Sequence, residues 1–219
     1  VNNAIAITGI HTGIGKTIAA AVIAEALHAD YWKPVQAGEL HNSDSIIVRS
    51  LLTGGSNRVH PEAFLLTQPL SPHAAARIDG VTIDHTTFQR PNTDELLLIE
   101  TAGGVLSPIS EDATMADFVA YHQLPTILIT NNYLGSINHT LLSIEALKHR
   151  GIQVLGIVVS GTSNTTSEAY IEHYGGVPVI AHIPFLDVVN SHTIKEHATR
   201  IAASLYKHIH HGNDKGAGQ

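Results

Sequence analysis

The stretch Ile7-Thr8-Gly9-Ile10-His11-Thr12-Gly13-Ile14-Gly15-Lys16-Thr17 does most to restrict what this chain can fold into. An apolar run, 4–8, enters it, and an alanine-rich run of helical length, 16–28, leaves it. A strand, a glycine loop and a helix in that order let backbone N–H groups crowd around an anion, and the helix N-terminus adds a favourable field. The loop therefore reads as a phosphate cradle. Gly13, Ile14 and Gly15 form it and Ile18 follows in the helix. Lys16 brings positive charge to the outer phosphates, and the Thr17 hydroxyl is placed to ligate Mg²⁺. The usual spacing G-x-x-x-x-G-K-[ST] asks for glycine at position 10, where this chain has Ile10 and the glycine is Gly9.

The rest of the chain continues the alternation. Apolar runs recur at 31–35, 95–100, 125–130, 152–160 and 178–184, several of them β-branched, as in strands covered on both faces. Stretches of helical length lie at 44–52, 114–122, 136–149, 165–174 and 193–208. The pattern predicts an α/β fold with a mainly parallel β-sheet and helices on both faces, a three-layer sandwich of the P-loop NTPase type. One domain is expected over 1–207, followed by a polar, glycine-containing tail, 208–219, that frays. The tail's histidines could ligate metal, but a solvated tail is the simpler reading.

Composition removes several classes of function. Hydrophobic residues are 43% of the chain and charged ones 14%, the balance of a packed protein and not a disordered one. A formal net charge of -7 argues against a nucleic-acid partner. With no cysteine, disulfides, thiol nucleophiles and cysteine-ligated zinc are all excluded. No run reaches the length of a membrane span, and the apolar opening 4–7 is too short for a signal peptide, so no membrane partner and a cytoplasmic location are expected.

In a parallel sheet, ligands gather at the carboxyl ends of the strands. Glu100 ends the apolar run ELLLIE and should emerge there beside the loop. A carboxylate finishing a buried strand needs a partner, and a metal is the favoured one. Asp44, in HNSDS, stands at a helix start, where N-cap and metal ligand are equally open. Lys33 closes the second apolar run near the same place, although a lone lysine at a strand end is usually solvated.

Taken together, TGIHTGIGKT (8–17), YWKPVQAG (31–38), NSD (42–44), SPHAAA (71–76), ETAGG (100–104) and LGSINHTLL (134–142) resemble the dethiobiotin synthetase family, in order, from about residue 4 to about 186. The loop's longer glycine spacing is that family's form. The resemblance implies an ATP- and Mg²⁺-dependent cyclo-ligase of biotin biosynthesis that closes a ureido ring on 7,8-diaminononanoate with CO₂. It implies a carbamate and then a carbamoyl-phosphate anhydride as intermediates. Lys16, Lys33 and Thr12 would be catalytic, and Thr17, Asp44 and Glu100 would hold the metal. Thr12, Lys33 and Ala37 would meet the reacting end of the substrate. Gly135, Ser136, Asn138 and Tyr170 would meet its carboxylate, the helix end coming from the second subunit of a homodimer. Ser160 and Pro184 would flank the nucleotide base.

The chain also departs from the family. Ser160 stands where an asparagine reads the base in better-known members, and Gln36-Ala37 where a hydroxyl residue is common. Thr101 replaces a glycine and is expected to narrow the space near the metal or substrate. Lys33→Ala is expected to fold normally and lose nearly all turnover. The competing reading is a partitioning or targeting ATPase switch. It shares the loop type but usually carries a lysine where this chain has His11, and it lacks KPV and LG-x-INH.

Overall fold

A computed structural model of the protein describes residues 3–213. The chain opens with β1 (Ala4–Gly9), α1 (Lys16–Leu27), β2 (Asp30–Trp32), β3 (Val35–Ala37), α2 (Asp44–Leu51), α3 (Gly55–Arg58), β4 (Val59–His60), β5 (Phe64–Leu66) and α4 (Pro72–Asp79). It continues through β6 (Leu97–Glu100), α5 (Met115–Tyr121), β7 (Thr126–Thr130), α6 (Ser136–His149), β8 (Val154–Ser160), α7 (Thr165–Gly175), β9 (Val179–Ile183) and α8 (Ser191–Asn213). Seven strands form one sheet in the order β4-β2-β6-β1-β7-β8-β9, every pair parallel. Every residue of β1, β6 and β7 is buried. Strands buried along their whole length must be covered on both faces, which is why they read as unbroken apolar runs.

The topology places the site. β1 lies at the centre, with β6 and β2 on one side and β7 to β9 on the other. The chain reverses its direction of build-up there, and the crevice at such a switch point is where open α/β sheets bind ligands. Register then decides which side chains meet. Ile7 pairs with Glu100 and Trp32 with Ile99, so Lys33 and Glu100 leave adjacent strands at one level.

Proline divides what the apolar pattern suggested was one strand, 31–35. Pro34 has no N–H to give the ladder, so β2 stops at Trp32. The Pro34 carbonyl instead accepts from the N–H groups of Ala63 (2.9 Å) and Phe64 (3.0 Å). The chain then pairs β3 with β5 in a separate two-stranded sheet. α4 was not anticipated. Its local signals are a serine before the helix, Pro72 in the first turn and Gly80 as a left-handed C-cap. α8 runs to Asn213, past the boundary at 207, so residues 208–213 are helical where fraying was expected. The remainder of the tail, 214–219, lies outside the described residues.

Two polar clamps hold helix ends. The buried Glu25 carboxylate accepts from Arg58 Nη1 at 2.9 Å, while Arg58 Nη2 donates to the Ala24 and Ala29 carbonyls, closing the end of α1. At the start of α5, Asp117 accepts from the Thr114 N–H (2.8 Å), the Thr114 hydroxyl (2.6 Å) and Arg150 Nε (2.8 Å). Partial burial opposes the charge on Asp117, but these donors outweigh it and hold its pKa down to about 2. A depressed carboxylate stabilises the fold above its ordinary pKa of about 3.9 and loses that contribution as pH falls through the folded value. Asp117→Asn is therefore expected to cost about 1 kcal/mol near neutrality. Denaturant unfolding should show the gap between variant and parent narrowing from about pH 4 towards pH 2.

Candidate active site

α1 begins at Lys16 with Gly15 as its N-cap, no side chain caps it, and its first turn holds no acidic residue. Its free N–H groups therefore face the loop uncompensated, as an anion site requires. Gly15 has a φ of +83°, and a Cβ there would lie 2.6 Å from Ser160 Oγ. Glycine is needed on both counts. Gly13 and Thr12 are exposed, Ile14 is buried in the core, and Ile18 packs against that core from the first turn.

Behind the loop sits a buried charge cluster. Lys33 is only 6% exposed, and its Nζ donates to Asp44 Oδ2 and, at 3.3 Å, to Glu100 Oε1. Burial alone would lower its pKa, but the two carboxylates outweigh this and raise it, so Lys33 is an ammonium at neutral pH. Burial likewise opposes charge on Asp44, but Lys33, Thr17 and Lys16 overcome it and depress its pKa. Lys16 is buried too, and desolvation lowers its pKa despite Glu100 and Asp44. Its Nζ donates to the His11 carbonyl at 3.2 Å.

Thr17 Oγ1 stands 2.5 Å from Asp44 Oδ1 and 3.4 Å from Glu100 Oε1. The two carboxylates and one hydroxyl converge as a set of oxygen donors. Among the described residues no group of three or more His, Cys, Asp or Glu forms a metal cluster. This smaller set suits Mg²⁺, which takes few protein ligands and keeps water and phosphate oxygens for the rest. The Asp44 alternatives resolve into a division of labour. Ser43 is the N-cap of α2 and accepts from the Ile46 N–H at 3.3 Å, which leaves the Asp44 carboxylate for Thr17 and Lys33.

Other residues meet expectation unevenly. Thr101 does not narrow the site: its side chain is buried, with Oγ1 donating to Thr8 Oγ1 at 3.0 Å, and so ties β6 to β1. Ala37 lies half-buried in β3 and offers only a methyl group. Its neighbour Gln36 accepts from the Asp44 N–H at 3.3 Å, so it supports the start of α2. Gly135 and Ser136 open α6 and line a cavity of about 490 Å³ with Asn132, Ser163 and Ser167. Asn138 is exposed in the same first turn, while Tyr170 stacks on Tyr174 at 5.8 Å on α7. Ser160 is brought against the loop, and the exposed Pro184 follows β9, beside Phe185, whose ring packs on Gly161.

Sequence reasoning missed Tyr31, which is fully buried and donates from its hydroxyl to Glu100 Oε2 at 2.9 Å. The signal was present, since Tyr31 is two residues from Lys33 and side chains two apart in extended chain share a face. It also missed His11, Tyr133 and His139, which stand beside the loop. His11, Thr12, Gly104 and His139 line a cleft of about 460 Å³. A larger cavity, about 700 Å³, lies between α4 and the segment 109–113 and contains none of the lysine cluster. The charged cluster and the loop, and not cavity size, mark the chemistry.

The chain is similar to known proteins along most of its length. A family model described as an AAA domain matches residues 3–193. The chain is 46% identical over 199 residues to the ATP-dependent dethiobiotin synthetase of Christiangramia forsetii, covering 91% of this chain and 96% of that one. It is 44% identical over 202 residues to the enzyme of the same name from Cytophaga hutchinsonii, covering 92% and 98%. Among solved structures, the MinC:MinD cell division protein complex of Aquifex aeolicus is similar with a TM-score of 0.53 at 15% identity, covering 94% of each chain. That likeness is one of fold alone.

The burial of Lys33 changes what its removal should do. Lys33→Ala leaves Asp44 and Glu100 facing one another without their shared cation, and breaking a buried pair this way costs about 3–5 kcal/mol. The variant is thus expected to be markedly destabilised, against the sequence-based expectation of normal folding. Lys33→Ala combined with Glu100→Gln should recover part of that loss. Unfolding free energies of the parent, single and double variants check this; a single variant as stable as the parent contradicts it.

Proposed function

The chain belongs to the ATP-dependent dethiobiotin synthetase family, and on that premise we propose that it closes a ureido ring on 7,8-diaminononanoate with CO₂ and ATP, releasing dethiobiotin, ADP and phosphate. It is a ligase forming C–N bonds. The observation that carries the proposal is the buried Lys33 ammonium held between Asp44 and Glu100, directly behind a phosphate loop that supplies Lys16 and Thr17.

The chemistry brings two anions together. One substrate amine captures CO₂ as a carbamate, a carbamate oxygen attacks the γ-phosphate of ATP, and the second amine attacks the resulting anhydride and expels phosphate. Carbamate and triphosphate repel each other, and Lys16 and Lys33 offset that charge where it is greatest. The α1 N-terminus and the loop N–H groups orient the triphosphate for in-line attack, and Thr12, exposed in the loop, is placed to direct the carbamate. Thr17, Asp44 and Glu100 would hold Mg²⁺, which neutralises charge on the β- and γ-phosphates when bound. The carboxylates beside Lys33 outweigh its burial and favour its charged form.

The substrate's distal carboxylate would lie at the N-terminus of α6, Gly135 to Asn138, with Tyr170 near it, both supplied by the partner in a homodimer. Leu134 is fully exposed and Tyr170 half exposed, which supports a partner covering this end. No helix among the described residues is long and apolar enough to cross a membrane, and the reaction is proposed to run in the cytoplasm. At the base, Ser160 turns its short side chain against Gly15, which supports weak selection among nucleoside triphosphates.

Phosphate release from ATP with Mg²⁺ tests the reading. Release should require both the diamine and bicarbonate; slow release indifferent to the diamine would point to a switch-type ATPase instead. In the same assay, CTP or GTP should support turnover within about tenfold of ATP, a gap of about 1.4 kcal/mol, and a much larger ATP preference would count against the role given to Ser160.

A further inference from the structure

We propose that His11 is the catalytic base that accepts the proton shed by the substrate amine as it captures CO₂. The inference rests on the ring-closing reaction above. In that step the amine nitrogen bonds to the carbon of CO₂ and one C=O electron pair moves onto oxygen. The N–H proton passes to an imidazole nitrogen, giving a carbamate and an imidazolium, with no change of oxidation state.

The other polar groups are committed elsewhere. Lys33 is a cation, Asp44 and Glu100 already accept from Lys33, Thr17 and Tyr31, and Lys16 is assigned above to the triphosphate. His11 is exposed in the loop, next to Thr12, and both line the cleft with Gly104 and His139. Its Nδ1 contacts the Thr12 carbonyl oxygen. A carbonyl can only accept, so Nδ1 carries the hydrogen and Nε2 keeps its lone pair. The ring is also held in place. Tyr133 packs against it edge-on, with centroids 5.4 Å apart at 85°, and the Tyr133 hydroxyl bonds His139 Nδ1 at 2.5 Å. An imidazole held in this orientation, with one ring nitrogen left as an acceptor, is suited to take a proton. Its exposure lets the imidazolium return that proton to water.

The test is steady-state turnover of the parent and His11→Gln with ATP, Mg²⁺, the diamine and bicarbonate, across pH 6 to 9 and with added imidazole. His11→Gln is expected to lower kcat about a hundredfold near neutrality while the KM for ATP changes less than about twofold. Imidazole in solution should restore part of the rate. A kcat within about threefold of the parent overturns the proposal. So does a loss that imidazole leaves untouched and that tracks weaker ATP binding, because His11 then only shapes the loop. Phosphate release by the parent that ignores the diamine would overturn the ring-closing reading itself, and the role of His11 with it.

Discussion

A lysine ammonium buried among two carboxylates, a threonine hydroxyl and a second lysine is costly to assemble, and much of this molecule is arranged so that it can exist. Lys33 leaves its strand level with Glu100 on the adjacent strand, and α2 brings Asp44 to its other side. Remove Lys33 and both carboxylates lose their shared cation in a region from which water is largely excluded. The same closeness suits the site to polyanion chemistry. In the proposed function its lysines would meet phosphate and carbamate charge and its oxygen donors a divalent cation.

Pro34 shows how a small covalent constraint directs the whole. It ends the β2 ladder directly after Lys33, so the lysine sits at a strand's carboxyl end and not within the sheet. The diverted chain forms β3 and then the turn into α2. Gln36 accepts from the Asp44 N–H and Ser43 caps the helix, and together they aim the Asp44 carboxylate inward. On the other side of β1, Gly15 and Ser160 approach so closely that a Cβ on Gly15 would force a shift. The phosphate loop is thus braced by the strands flanking it.

Much of this was legible in the residues. The buried strands and longer helices followed from apolar runs and their spacing, and the loop followed from its glycines, Lys16 and Thr17. Positions governed by local backbone chemistry were harder to see. Pro34 split an apolar run that hydrophobicity alone joins, and α4 is announced by capping residues and not by a long periodic pattern. Side-chain direction was hardest of all. Thr101 stands beside the site in sequence but turns its hydroxyl to Thr8, while Tyr31, hidden in an apolar strand, donates to Glu100. Which way a short polar side chain faces depends on partners from distant parts of the chain.

The fold is shared with proteins of quite different work, as the likeness to the Aquifex aeolicus complex at 15% identity makes plain. The proposed reaction rests on the lysine cluster and the start of α6, so the decisive question is where carbon goes. The chain should be incubated with ATP, Mg²⁺, 7,8-diaminononanoate and ¹³C-bicarbonate, and the product followed by carbon NMR. The account predicts a single labelled ureido carbon, formed one for one with phosphate. Phosphate accumulating while the label stays in bicarbonate would contradict it.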